Sequence, residues 1–336
     1  MKQFLIFVFF IFFPLMNKDN TEKLFVKIGG IRQGMFIKED NSDKPILLYI
    51  HGGPCFPNYF LFEKYNPGLE KYFKVCYWEQ RGGGLSYSKD VNIKTITFDQ
   101  LTLDAIEVTN WLRKRYNCDK IYLMAHSGGT PIALMAAKKH PELYYAYMAM
   151  AQITNQRKSE EMAIKYMIDK STQMGDKKAI NRISKYFDNS GKIDVDNFFK
   201  SSERDEYMHS MGIGTMRNMK SVISGVFIPS LLSRSYTIGE KWKLWKSKFS
   251  FLPKTGLHKE LLSKDFTSDI DSLDIPIYFF VGKYDYTVNY ILTEAYYQNV
   301  KAPKKGLFVF ENSAHSPLFE EPNKFLDIIK RHVLTN

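Results

Sequence analysis

The chain has 336 residues, 44% of them hydrophobic, enough to bury a large core and to hold one big domain with a smaller one inserted; nothing in the composition points to disorder. Three cysteines, Cys55, Cys76 and Cys118, are too few and too irregularly spaced for a disulfide framework or a zinc site. The formal charge of +11 is unevenly placed: residues 157–265 carry 21 Lys and Arg against 13 Asp and Glu, so most of the excess lies in that segment.

Phe4 to Met16 is an unbroken apolar run behind Met1-Lys2. It is shorter than the roughly 20 residues of a bilayer-spanning helix and has the length of a signal-peptide core. No Ala-x-Ala-like cleavage site follows, and Pro14 argues against a long regular helix. A soluble helix is disfavoured, because its aromatic residues would be exposed on every face. Residues 1–20 are therefore expected to be an uncleaved anchor or an atypical export signal. Either places the protein at or beyond a membrane; without that role it would be cytoplasmic. The flanking charges do not fix an orientation.

From Leu24 the chain reads as two strands around Gly29-Gly30, a hairpin turn. Pro45 to Ile50 is a continuous apolar run of the kind buried on both faces of a sheet, and it ends in His51-Gly52-Gly53-Pro54. Gly52 and Gly53 leave backbone amides free to point at a ligand, as half of an oxyanion hole. Phe73 to Trp78 is another strand, followed by Glu79-Gln80-Arg81-Gly82-Gly83-Gly84. That loop is not G-x-G-x-x-G and no Walker lysine follows, so phosphate cradling is not expected. Phe98 to Tyr116 has helical apolar spacing. It leads into Ile121 to Ala137, a buried strand, a Ser127-Gly128-Gly129 corner and an Ala-rich helix. This is the context of a nucleophile elbow, with Ser127 on the strained turn and the Gly128 amide at the helix start aimed where an oxyanion forms. Ala125 departs by one methyl from the usual G-x-S-x-G.

After one more strand, Tyr144 to Ala151, the strand–helix alternation stops near Asn155. Residues to about Phe266 are Lys-rich and Met-rich, with Met208, Met211, Met216 and Met219 at helical spacing, and read as a helical cap insertion. Its basic surface is a solvated face or one that lies against anionic lipid or wall polymer. No basic-aromatic binding module appears, so nucleic acid is not an expected partner. Alternation resumes at Ile275–Val281, followed by Gly282-Lys-Tyr-Asp285, and Gly306–Phe310 leads to Glu311-Asn-Ser-Ala-His315. A carboxylate and a histidine thus sit beyond the carboxyl ends of two late strands, the edge where catalytic groups collect. The chain order Ser127, Asp285, His315 is that of the α/β-hydrolase triad. His51 and His126 lie beside the loops, His140 ends the elbow helix, and Asp269, Asp271 and Asp274 fall at the opposite edge.

His51-Gly-Gly-Pro, Glu79-Gln-Arg-Gly, Ala125-His-Ser-Gly-Gly, Gly282-Lys-Tyr-Asp and Ala314-His315 together resemble the α/β-hydrolase superfamily, most closely its proline iminopeptidase branch. The resemblance covers about Leu24 to Gln152 and Ile275 to Leu334. Iminopeptidases usually have Gly where this chain has Cys55, Asp where it has Glu79, and Trp where it has Gly128. The expected fold is a mostly parallel sheet flanked by helices, its core formed by residues 21–154 and 267–336 around a cap at 155–266. The expected chemistry is acyl transfer by Ser127, with His315 as base, Asp285 as its orienting carboxylate, and Gly128 with Gly52 or Gly53 as oxyanion donors. It calls for no metal or organic cofactor. Serine at the nucleophile position disfavours dehalogenase and epoxide hydrolase chemistry. The resemblance implies an aminopeptidase on short peptides, in which cap carboxylates hold the substrate amine; Glu160, Glu161, Glu203 and Glu206 lie in that segment. A carboxylesterase or lipase-like enzyme, and a non-catalytic binding protein on the same scaffold, are the alternatives.

Overall fold

A computed structural model of the chain describes residues 21–39 and 43–335. The apolar run Phe4–Met16 lies outside them. The described residues build an eight-stranded sheet from β1 (Thr21–Ile28), β2 (Ile31–Lys38), β3 (Ile46–Ile50), β4 (Lys74–Trp78), β5 (Ile121–His126), β6 (Tyr144–Met150), β7 (Ile277–Gly282) and β8 (Lys305–Phe310). Its spatial order is β1-β2-β4-β3-β5-β6-β7-β8. β1 and β2 form an antiparallel hairpin whose turn residues, Gly29 and Gly30, both have positive φ, 55° and 79°. Such a turn matches the twist of the strands it joins. β2 is antiparallel to β4, and every pairing from β4 across to β8 is parallel.

Parallel strands must be covered on both faces, which is why their sequences are apolar throughout rather than alternating. Leu48, Ile50, Leu123, Ala125 and Phe279 face α2 (Phe98–Tyr116), α3 (Thr130–Lys139) and Tyr296. Their strand neighbours Leu47, Tyr49, Met124 and Phe280 face the other way, against α1 (Tyr59–Tyr65) and Phe325 and Leu326 of a C-terminal helix. Ala133, Ala136 and Ala137 of α3 are fully buried, and their small side chains let the helix lie close on the sheet.

Between β6 and β7 the chain is helical: α4 (Gln156–Met174), α5 (Lys177–Ser184), α6 (Val195–Phe199), α7 (Ser202–Ser210), α8 (Ile228–Leu232), α9 (Ile238–Lys246), α10 (Leu257–Ser263) and α11 (Phe266–Asp269). Polar side chains start most of these short helices. Asn155, Asp176, Asp194, Ser201 and Thr237 each accept a backbone N–H of the first turn. α4 to α7 share an apolar cluster of their own that includes Ile164, Met167, Ile183, Phe198 and Met208. The helical spacing read through Met208, Met211, Met216 and Met219 does not hold. α7 stops at Ser210, Gly212 turns the chain with φ 69°, and Met216 and Met219 are buried from an irregular segment. After β7 come α12 (Tyr290–Asn299), then β8, α13 (Pro317–Glu320) and α14 (Pro322–Ile328). No helix among the described residues is long and apolar enough to cross a membrane.

Candidate active site

β3 lies between β4 and β5, so the chain reverses its progress across the sheet at that point. The carboxyl ends of β3 and β5 therefore border a crevice, where open α/β sheets take their ligands. Pairing of Ile50 with Ala125 sets His51-Gly52-Gly53 beside His126-Ser127-Gly128. A Cβ on Gly128 would stand 2.7 Å from Pro54 N, and one on Gly129 2.4 Å from the His51 carbonyl. Only glycine permits this approach of the two loops.

Ser127 leaves β5 with φ 52°, a left-handed conformation that costs a non-glycine residue roughly 1–3 kcal/mol. Thr130 Oγ1 donates to the Ser127 carbonyl at 2.7 Å and steadies the turn into α3. The Gly52 backbone lies against the serine: a Cβ built there would be 3.5 Å from Ser127 Oγ. His51 and Gln80 lock the two loops together. The Gln80 peptide N–H donates to His51 Nε2 at 3.0 Å, so the ring proton is on Nδ1, which donates to the Gly52 carbonyl at 2.8 Å. The Gln80 side chain donates to the His51 carbonyl at 2.6 Å and accepts the Cys55 N–H at 2.8 Å. Burial pulls the His51 pKa down to about 4, so it serves as a neutral strut.

Asp285 follows β7 and is 1% exposed. Its Oδ1 accepts the Val288 N–H at 2.9 Å and its Oδ2 accepts His315 Nδ1–H at 2.8 Å. The His315 ring proton is thereby fixed on Nδ1, and Nε2 is left as an acceptor. Glu320 on α13 orders the histidine loop, accepting the N–H groups of Ala314 at 3.0 Å, Ser316 at 3.2 Å and Arg217 at 2.6 Å. His126 donates from Nε2 to the His315 carbonyl at 2.9 Å. Burial, reinforced by the neighbouring His315, holds the His126 pKa near 3.

Ser127, Gly128, Gly52, Gly53 and His315 line one cavity of about 260 Å³. Among the described residues no hydrogen bond joins Ser127 Oγ to His315 Nε2; unliganded sites commonly hold this contact open. The remaining wall is largely apolar, with Phe56, Phe60 and Leu61 from the core and Phe199, Val222, Val226 and Leu261 from the insertion. Of the four acids singled out in the insertion, none lines it. Glu160 is buried in a bidentate pair with Arg204 at 2.7 and 2.6 Å, Glu203 bonds Lys185 at 2.6 Å, Glu206 bonds Arg182 at 2.8 Å, and Glu161 is partly exposed away from the cavity. The wall's acid is Asp205, accompanied by Lys248 and His209. No motif marks these three in the sequence: Asp205 and His209 lie on the capped helix α7, and Lys248 follows the end of α9.

Sheet, elbow and crevice define an α/β hydrolase, and residues 45–322 match the family described by the alpha/beta hydrolase fold, to which the chain belongs. It is 31% identical to a probable aminopeptidase, YbaC, of Bacillus subtilis (strain 168), over 91% of this chain and 94% of that one. It is 26% identical to a proline iminopeptidase of Saccharolobus solfataricus, over 94% and 93% of the two chains. Among solved structures, a proline iminopeptidase-related protein from Thermus thermophilus superposes with a TM-score of 0.61 at 17% identity, covering 92% of this chain and 96% of that one.

Proposed function

We propose that this chain is a serine hydrolase working through an acyl-enzyme, and that it removes the N-terminal residue of short peptides in the manner of a proline iminopeptidase. The observation that carries the reading is the buried Asp285–His315 pair, 2.8 Å apart, opening beside Ser127 into one cavity. Ser127 Oγ attacks the carbonyl and its proton passes to His315 Nε2, while Asp285 stabilises the imidazolium. The oxyanion faces the N–H of Gly128 and one N–H of the Gly52-Gly53 loop, each such donor contributing about 3–4 kcal/mol. His315 returns the proton to the leaving amine, then activates the water that releases the acyl group.

Residues 155–266 act in this reading as a cap over the core of 21–154 and 267–336. Two contacts support it: the His315 N–H donates to the Gly214 carbonyl at 3.3 Å, and the Arg217 N–H to Glu320. The peptidase assignment draws on the two relatives named for aminopeptidase activity and on Asp205, a carboxylate in the cavity wall suited to a free amine. Esterase action is the second reading, favoured by the apolar wall. We also propose that the N-terminal run and the basic cap bring the enzyme to a membrane surface.

The test is labelling with a fluorophosphonate probe, wild type against Ser127→Ala, followed by turnover of proline-naphthylamide beside a short-chain p-nitrophenyl ester. Labelling confined to wild type and faster turnover of the naphthylamide are expected. A faster ester points to the second reading. Folded wild type that neither labels nor turns over either substrate would return the chain to a binding role.

A further inference from the structure

Lys248 lies in the wide, π-type turn Ser247–Phe251, a conformation frequent at functional sites. Its Nζ stands 4.4 Å from the centre of the Phe56 ring and 5.5 Å from that of Trp245, and it lines the cavity that Ser127 and His315 also line. Among the described residues no carboxylate comes within ion-pair distance of it. The wall's other strong cation, Arg204, is already engaged: Glu160 takes its fork, and Asp205 Oδ1 accepts from Nη1 at 3.1 Å. His209 is committed through both ring nitrogens, to the Asp205 carbonyl and to Thr215 Oγ1. The wall therefore presents one ammonium outside any ion pair, its charge favoured at longer range by Asp205, and that carboxylate keeps an oxygen to spare. An unpaired, partly desolvated cation is costly to keep unless a ligand supplies the opposite charge. The cavity, about 260 Å³, is smaller than the roughly 300–1,000 Å³ of sites for larger ligands, which favours a short occupant.

We propose that Lys248 is a carboxylate subsite: it binds the free C-terminal carboxylate of a very short peptide, while Asp205 faces the amine at the other end. The inference rests on the aminopeptidase reading and narrows it from peptides in general to zwitterionic di- and tripeptides. The aromatic faces of Phe56 and Trp245 hold the Lys248 ammonium at the cavity wall through cation–π contacts.

Calorimetric binding of prolyl-glycine and of its C-terminal amide to the full-length Ser127→Ala protein tests it without depending on turnover. The acid is expected to bind about tenfold tighter or more than the amide, the size of one charge-assisted hydrogen bond. Adding Lys248→Gln brings that ratio near one, and Lys248→Arg keeps it. Equal binding of acid and amide by Ser127→Ala overturns the subsite, as does a preference that survives Lys248→Gln. The ratio in Ser127→Ala needs no change at position 248, so it decides the matter even if Lys248→Gln folds poorly. Turnover of proline-naphthylamide by wild type reports on the aminopeptidase reading separately. Cleavage without acid preference loses the subsite alone, and acid preference without cleavage loses the aminopeptidase reading alone.

Discussion

Glu79 stands where iminopeptidases usually have Asp, and its burial has a physical consequence. The side chain is 1% exposed, its Oε2 accepts the Leu85 N–H at 2.5 Å, and Tyr236 of the insertion donates its hydroxyl to Oε1. Burial outweighs both hydrogen bonds and pushes the carboxyl pKa up to about 8, from 4.5. The folded chain thus holds this proton more tightly than the unfolded one. Its stabilising contribution is complete below the unfolded value and is lost as pH climbs through about 8. His51 and His126, held down to about 4 and 3, act in the opposite sense: their contribution is present above 6.5 and fades as pH falls. The melting temperature of wild type is therefore expected to fall from about pH 6 to 9, and Glu79→Gln, similar in shape but unable to ionise, to flatten that decline. Thermal melts of the two proteins across this range check it; parallel curves would falsify the assignment to Glu79.

At the scale of elements, Arg81 and Asp104 fasten the loop after β4 to α2. Arg81 Nε and Nη2 donate to Asp104 Oδ2 and Oδ1 at 2.7 and 2.8 Å, and Gln33 and Gln100 fill the remaining acceptor positions at 2.7 and 2.9 Å. Both charges are buried, so removing one strands the other. Asp104→Asn is expected to cost about 3–5 kcal/mol, whereas replacing both partners with apolar residues of similar volume recovers much of the loss. Urea unfolding of the single and double variants measures this, and a near-neutral Asp104→Asn would refute it. The elements that such pairs join were readable in advance. The bounds of α2, the strands and the Ser127 corner follow from short-range signals: apolar period, Gly-Pro turns and strand length. Cys55 shows why one departure from the family pattern left the loop intact, since it keeps the left-handed turn, φ 58°, that glycine would adopt. What stayed illegible is long-range and lies in the insertion. Glu160 finds Arg204 across 44 residues, Tyr236 finds Glu79 across 157, and Asp205 and Lys248 meet at the cavity only through the packing of short helices with no shared period.

On the whole molecule, exposed apolar side chains and positive charge gather in one segment of the insertion. Of twelve large hydrophobic residues exposed among the described residues, eight fall between Ile223 and Phe249, with Ile238 at 87%, Leu232 at 74%, Phe249 at 67% and Trp242 at 57%. From Arg217 to Lys254, eight Lys and Arg face a single acid, Glu240, and that acid is paired with Lys23 at 2.8 Å. Lys23 also donates to the Ser235 carbonyl at 3.0 Å, so the start of β1 lies against this patch. Each lysine near an anionic bilayer contributes about 1 kcal/mol, and buried apolar side chains add to that. The full chain is expected to float with phosphatidylglycerol vesicles more than with phosphatidylcholine, and less so at high salt. Trp242 fluorescence should be quenched by brominated lipid, with that quenching absent from Trp242→Phe. Leu232→Ser combined with Ile238→Ser should weaken binding by about tenfold or more, the loss of two aliphatic contacts with the bilayer. Vesicle binding without Trp242 quenching, and undiminished in the double variant, would assign attachment to the N-terminal sequence alone and leave the patch to another role.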